Sequence, residues 1–340
     1  GQFRIVEQHP PFVMDPALAE WWVLLDDPEL TRLVETALSE NPSLQAAQAR
    51  IAQARASVRR DRAGRMPTLG TQATTIQGQL PGLEIQEGAP PSSQQPDPEA
   101  GSDDALSFYN VGLNANWELE FAGGSRRRIE AGNAQAAATV ANAEDAKVQL
   151  TAEVANNYVN LREAQFRADQ YRTQIKLQEE VLALTYQRYQ QGALPLFPVG
   201  NANAELEVLK SQFAEAEADK AVLLDALAIL SGRIPGSTAE DLSTPRDIPL
   251  PPDEVTVGDP ASLIARRPDI RAAERTLAAA TARIGVAEAA RFPKLSFMGI
   301  LGLGGSSPDD IFDVGEFSAL AIPRLEWNFL DFGRVDASVD

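Results

Sequence analysis

The chain has 340 residues and a formal net charge of −18, from 30 Lys and Arg against 48 Asp and Glu. With no cysteine and a single histidine, His9, it cannot build a disulfide framework, a Cys/His zinc site, a thiol nucleophile or a histidine-based triad. The charge has the wrong sign for a nucleic-acid binder, and no run of 18 apolar residues makes a membrane-spanning helix.

The chain opens on Gly1-Gln2-Phe3 without a basic stretch or an apolar core, so it reads as cytosolic or as a processed mature form. A helical pattern over 27–66 leads into a strand over 68–80. Between Pro81 and Ser107 stand six acids and no Lys or Arg, a solvated loop. In the strand predicted over 108–121, the twelve residues Asn110 to Phe121 alternate without a break. Val111, Leu113, Trp117, Leu119 and Phe121 form its apolar face; Asn114, Asn116, Glu118 and Glu120 form its polar face. Twelve residues of period two exceed the usual soluble strand and approach the length that crosses a bilayer at a tilt. The apolar face is therefore predicted to meet lipid and the polar face a water-filled lumen.

Helices are predicted over 125–191 and 199–232. The first contains no proline, places its one glycine, Gly132, near the start and is rich in alanine. It would be roughly 100 Å long and must pack laterally against other long helices. Acid pairs such as Glu179-Glu180 and Glu205/Glu207 fall on these rods, where they read as solvated faces, so no catalytic residue is assigned. A linker over 227–257 follows, acidic and rich in Pro, Gly and Ser. A helix over 260–291, strands over 294–304 and 316–332 and the start of another helix complete the chain. Leu325, Trp327 and Phe329 continue the lipid-facing alternation.

An offset of 226 places Asn41-Pro42 on Arg267-Pro268, Ala46-Ala47 on Ala272-Ala273 and Arg65-Met66-Pro67 on Arg291-Phe292-Pro293. A second match sets Trp117…Gly123-Gly124 beside Trp327…Gly333-Arg334. The chain is thus read as a duplicated unit, with a first repeat over 1–226 and a second over 258–340 that is cut short. Four strands cannot close a barrel, and open sheet edges do not enter hydrocarbon, so several chains must share one. Basic residues mark each helix–strand junction: Arg65, Arg126, Arg127, Arg128, Arg291 and Arg334. At a barrel rim they would meet lipid head groups.

The stretches Trp21-Trp22…Asp27-Pro28-Glu29-Leu30…Asn41-Pro42 and Arg266-Arg267-Pro268-Asp269-Ile270-Arg271-Ala272-Ala273-Glu274…Phe292-Pro293 resemble the outer-membrane factors. These are the TolC-like and OprM-like channels of tripartite efflux pumps and type I secretion systems. The resemblance implies a mostly α protein with a transmembrane β portion. Three chains would share a twelve-stranded barrel in the outer membrane of a Gram-negative bacterium, with long α-helical hairpins forming a periplasmic tunnel. It implies a passive exit duct, not an enzyme, with no cofactor or metal. Its partners would be a periplasmic membrane-fusion adaptor, an inner-membrane transporter of the resistance-nodulation-division type and outer-membrane lipid, with no nucleic acid.

The turn Gly192, Ala193, Leu194, Pro195 to Val199 resembles the tip where the adaptor docks. The arginine-proline-aspartate motif favours efflux over protein secretion, and a soluble coiled-coil scaffold is the alternative from another class. In this family a further hairpin follows Gly333-Arg334, so the aperture carboxylates are expected beyond Asp340. The OprM-like branch also starts at a lipidated cysteine. Finally, the acid excess on strand two and on 201–220 suggests a cation-preferring lumen.

Overall fold

The computed structural model describes residues 20–79, 105–238, 241–252 and 264–339. The opening residues with His9, most of the acidic loop after Pro81, four of the six linker acids (Glu240, Asp253, Glu254, Asp259) and the first turn of the helix predicted from 260 lie outside them. The described elements are α1 (Pro28–Glu40), α2 (Pro42–Ala63), β1 (Thr68–Gln79), β2 (Ala105–Leu119), α3 (Gly124–Gln190), α4 (Phe197–Leu230), α5 (Pro268–Ala289), β3 (Lys294–Leu303), β4 (Phe317–Glu326) and α6 (Arg334–Val339). They are mostly helical, with one antiparallel sheet. They fall into two compact units, one built from residues 1–52 and 138–273, the other from 53–137 and 274–340.

The single helix predicted over 27–66 is two helices. Pro42 has no N–H to donate and pushes the residue before it out of the helical region. Asn41 accordingly sits at φ −62, ψ 122. Its side chain caps the second helix, accepting from Ser43 N at 2.8 Å, and donates to the Leu230 carbonyl at 2.9 Å. At an offset of 226, Pro268 starts α5; α2 and α5 are both 22 residues long.

In the first unit α1 presents Leu30, Leu33, Val34 and Ala37 at helical spacing, all buried. They join Trp22, Leu44, Leu150, Val154, Leu161, Leu227 and Leu242 in one core. The distal part of α3 pairs antiparallel with α4: Gln178 donates to the Ala202 carbonyl at 3.0 Å, and Arg167 pairs with Asp219 at 3.4 Å. At 67 residues α3 is the rod the sequence predicts, and its buried alanines Ala138, Ala141, Ala164 and Ala168 let neighbours approach closely.

In the second unit the sheet order is β1-β2-β3-β4, antiparallel throughout. β2 starts at Ala105, before the predicted 108, and β2 and β4 stop two and six residues short of their predicted ends. β3 begins at Lys294, just after Pro293, opposite Glu326 of β4; beyond that point nothing remains to pair with Trp327 or Phe329. Likewise β2 ends at Leu119, opposite Leu295, leaving Glu120 and Phe121 outside the ladder. Among the described residues no helix is long and apolar enough to cross a membrane.

Candidate functional site

Cross-strand register sorts the sheet into two faces. One rung joins Leu113 to Leu301 and Ala319; others join Trp117 to Phe297 and Pro323, and Leu119 to Leu295 and Leu325. Val111 and Leu303 lie on the same side, which is apolar over β3, β4 and β2 from Val111 to Leu119, while β1 adds Leu69 and Ala73 but also Thr71 and Thr75. Val111, Leu113, Leu301 and Leu325 are all exposed on a single chain. The opposite face carries Gly70, Asn114, Asn116, Glu118, Ser296 and Arg324. The residues predicted to face lipid and those predicted to face the lumen thus separate cleanly within the strands.

Among the described residues both outer strands, β1 and β4, have an unpaired edge. Between β2 and β3 the backbones come unusually close. A Cβ built on Gly112 would stand 2.2 Å from the Leu301 carbonyl oxygen, so only glycine fits there.

The junction between sheet and helices is held by two matched contacts. Trp117 Nε1 donates to the Arg65 carbonyl at 2.9 Å, and Trp327 Nε1 to the Arg291 carbonyl at 3.0 Å. Gly123 and Gly333, at φ 78 and 83, open α3 and α6 in corresponding places.

Three of the six basic residues of this junction are paired within the chain, and Arg65 is exposed. Arg128 meets Glu120 at 3.1 Å, Arg127 meets Glu130 at 2.8 Å and Arg291 meets Asp336. Arg126 and Arg334 are exposed. Burial pushes the Glu120 carboxyl up, but the Ser125 hydrogen bond at 2.7 Å and the Arg128 guanidinium outweigh it and hold it below the usual carboxylate range. Glu118 pairs with Lys294 at 3.2 Å. The two strand-two glutamates that the sequence counted, with the acids of 201–220, toward a cation-preferring lumen therefore each have a cation beside them. Two cavities, of about 150 and 200 Å³, flank Lys294. Both are below the range of about 300–1,000 Å³ that holds a drug-sized ligand.

The turn after α3 is a helix C-cap of the Schellman type. Gly192 lies at φ 75; its N–H donates to the Tyr189 carbonyl and that of Ala193 to the Arg188 carbonyl, both at 2.9 Å. The next helix starts at Phe197, two residues before the predicted Val199, because Pro198 fits the first turn, where a missing N–H leaves nothing unmet. Leu194 is half-buried, whereas Ala193 and Pro195 are exposed. Leu196 and Phe197 are the apolar side chains most open to solvent here.

Sequence reasoning missed a buried polar chain in the first unit. The Tyr158 hydroxyl donates to Asp27 Oδ2 at 2.7 Å and accepts from Arg162 Nη2 at 2.9 Å. Arg162 Nη1 then donates to the Thr244 carbonyl at 2.9 Å, and Gln165 to that of Leu242 at 2.7 Å. Asp27 also caps α1 through Leu30 N at 3.0 Å. This chain ties α1, α3 and the inter-repeat segment together. No spacing in the sequence announces it.

Residues 33–233 and 260–340 match the outer membrane efflux protein family. The outer membrane protein OprJ of Pseudomonas aeruginosa is 32% identical over 322 residues, covering 94% of this chain and 64% of its own length. Nodulation protein T of Rhizobium leguminosarum bv. trifolii is 30% identical over 330 residues, with 96% and 66% covered. The structure of the outer-membrane channel OprN aligns with a TM-score of 0.83 at 33% identity, over 94% of this chain and 69% of that one. The chain spans about two thirds of the length of these curated relatives.

Proposed function

The chain belongs to the outer membrane efflux protein family, and from that membership we propose that it is the exit duct of a tripartite efflux pump. It resides in the outer membrane, and its helical hairpins form a periplasmic tunnel. Three copies share one barrel, and cargo handed over by an inner-membrane transporter of the resistance-nodulation-division type passes through without a chemical step. The observation that carries this reading is the four-stranded sheet, apolar on one side of β3, β4 and most of β2 and, among the described residues, open at both edges. Three such sheets joined edge to edge satisfy every backbone group and leave no edge in lipid.

In this reading the apolar face meets lipid, and Asn114, Asn116 and Glu118 line the lumen. The exposed Arg126 and Arg334 reach lipid head groups at the rim, and the turn from Gly192 to Phe197 receives the periplasmic adaptor. Residues 1–226 and 258–340 are the two repeats, joined by the linker 227–257.

Fractionation and heating test the proposal. The whole protein is expected in the outer membrane as a trimer that resists SDS until boiled. Its deletion is expected to raise sensitivity to pump substrates, and plasmid-borne protein to restore resistance. A protein that stays in the soluble fraction, or that runs as a monomer in unheated SDS, overturns it.

A further inference from the structure

The two hairpins of the sheet are not equivalent on the face away from the lipid-type surface. One rung there runs Gly70, Asn114, Ile300, Leu320; the next runs Thr68, Asn116, Met298, Ile322. The half from the first repeat is polar and the half from the second is apolar. Met298 is 37% and Leu320 53% exposed on this face. Since the other face of β3 and β4 is already apolar, these four side chains give the two strands apolar groups on both faces at these rungs. A water-filled wall gains nothing from that unless something apolar passes over it.

We infer that Met298, Ile300, Leu320 and Ile322 form an apolar contact site for cargo on the lumen wall, and that its occupant is a neutral or zwitterionic amphiphile. The inference rests on the barrel reading above. The patch spans two strands, about 4.8 Å apart, and two same-face positions, about 7 Å apart, the footprint of one small ring or a short alkyl segment. The Asn114 and Asn116 amides beside it supply donors and acceptors for the polar part of such a molecule. The charges nearest the strand ends, Glu118, Lys294, Arg324 and Glu326, sum to zero, which selects neither a cation nor an anion. Apolar contact of this extent gives weak holding, which suits a duct that must release what it passes.

These 340 residues contain no cysteine, so with any cysteine elsewhere in the whole protein replaced by serine, single-cysteine variants report single sites. The whole trimer in liposomes carries Leu320→Cys, Asn114→Cys or Leu301→Cys and is treated with a charged, water-soluble methanethiosulfonate. Leu320→Cys and Asn114→Cys are expected to react, and Leu301→Cys, in lipid, to react at least about tenfold slower. Octyl glucoside below its micelle concentration is expected to slow Leu320→Cys about fivefold and Asn114→Cys less than about twofold, and butyl glucoside neither, because contact grows with each methylene. Adding Met298→Ser to Leu320→Cys should relieve the protection. Equal slowing at positions 320 and 114, or protection that survives Met298→Ser, overturns the contact site. A Leu301→Cys thiol as reactive as that of Leu320→Cys instead overturns the barrel reading itself.

Discussion

The indole of Trp117 donates to the backbone carbonyl of Arg65 across the joint between β2 and the end of α2. The duplicate pair, Trp327 and Arg291, repeats the contact between the end of β4 and the residues leading into β3. Each ring stacks near a phenylalanine, Phe297 at 6.2 Å for Trp117 and Phe329 at 5.8 Å for Trp327. A neutral hydrogen bond of this kind contributes about 0.5–1.5 kcal/mol. Trp117→Phe and Trp327→Phe are each expected to destabilise by about that amount, and the double variant by about the sum, since the two sites share no partner. Denaturant unfolding in detergent, followed by circular dichroism, measures all three.

Tyr158 gives a pH dependence of known sign. Burial first, and then its hydrogen bond to Asp27, push the phenol up to about 12, with Arg162 opposing. A raised acid stabilises the folded chain below its ordinary value near 10, and this contribution is lost as pH climbs from about 10 to 12. The stability difference between the native protein and Tyr158→Phe should therefore shrink across that window. At neutral pH the substitution is expected to cost about 1–3 kcal/mol, because Asp27 and Arg162 each lose a buried partner. Denaturant midpoints at pH 8, 10 and 11.5 decide it.

At the turn, backbone and surface can be separated. A Cβ on Gly192 would meet nothing within 4 Å, but φ is 75, so Gly192→Ala is expected to cost about 1 kcal/mol through the backbone alone. Leu196→Glu and Phe197→Glu change exposed side chains and should leave the midpoint unmoved. Both should nonetheless reduce crosslinking to the adaptor, while Gly192→Ala retains it. Crosslinking unaffected by either glutamate would remove the adaptor from this turn.

Two sheet glycines differ in what surrounds them. A Cβ on Gly112 runs into the backbone of Leu301 and Gly302, whereas one on Gly70 meets only the Asn114 side chain, which can turn aside. Gly112→Ala is expected to destabilise by about 1–3 kcal/mol and Gly70→Ala by less than about 1. The yield of heat-resistant trimer should fall in the same order.

Charge pairing removes part of the ground for the cation preference suggested by counting acids. With Glu118 beside Lys294 and Glu120 beside Arg128, these four groups at the end of the sheet carry no net charge. Glu118→Gln leaves Lys294 uncompensated, so the reversal potential under a KCl gradient is expected to shift toward anions, most at low salt. A native channel with strong cation preference that Glu118→Gln merely weakens would contradict this.

Much of the architecture was legible in the residues themselves. Pro42 and Pro268 and the long alanine-rich run determine local conformation through backbone sterics and periodicity, and neither depends on distant partners. For the same reason the duplication, the four strands and the long helix could be read directly. The extent of β4 could not, because alternation continues through Phe329 while the ladder ends where β3 begins, opposite Glu326. The pairing of Glu118 with Lys294 depends on register, and the chain from Asp27 through Tyr158 to Arg162 on packing between segments far apart in sequence. Hydrogen bonds and charge pairs are settled by which groups are brought within about 3 Å, and only the tertiary fold sets those distances.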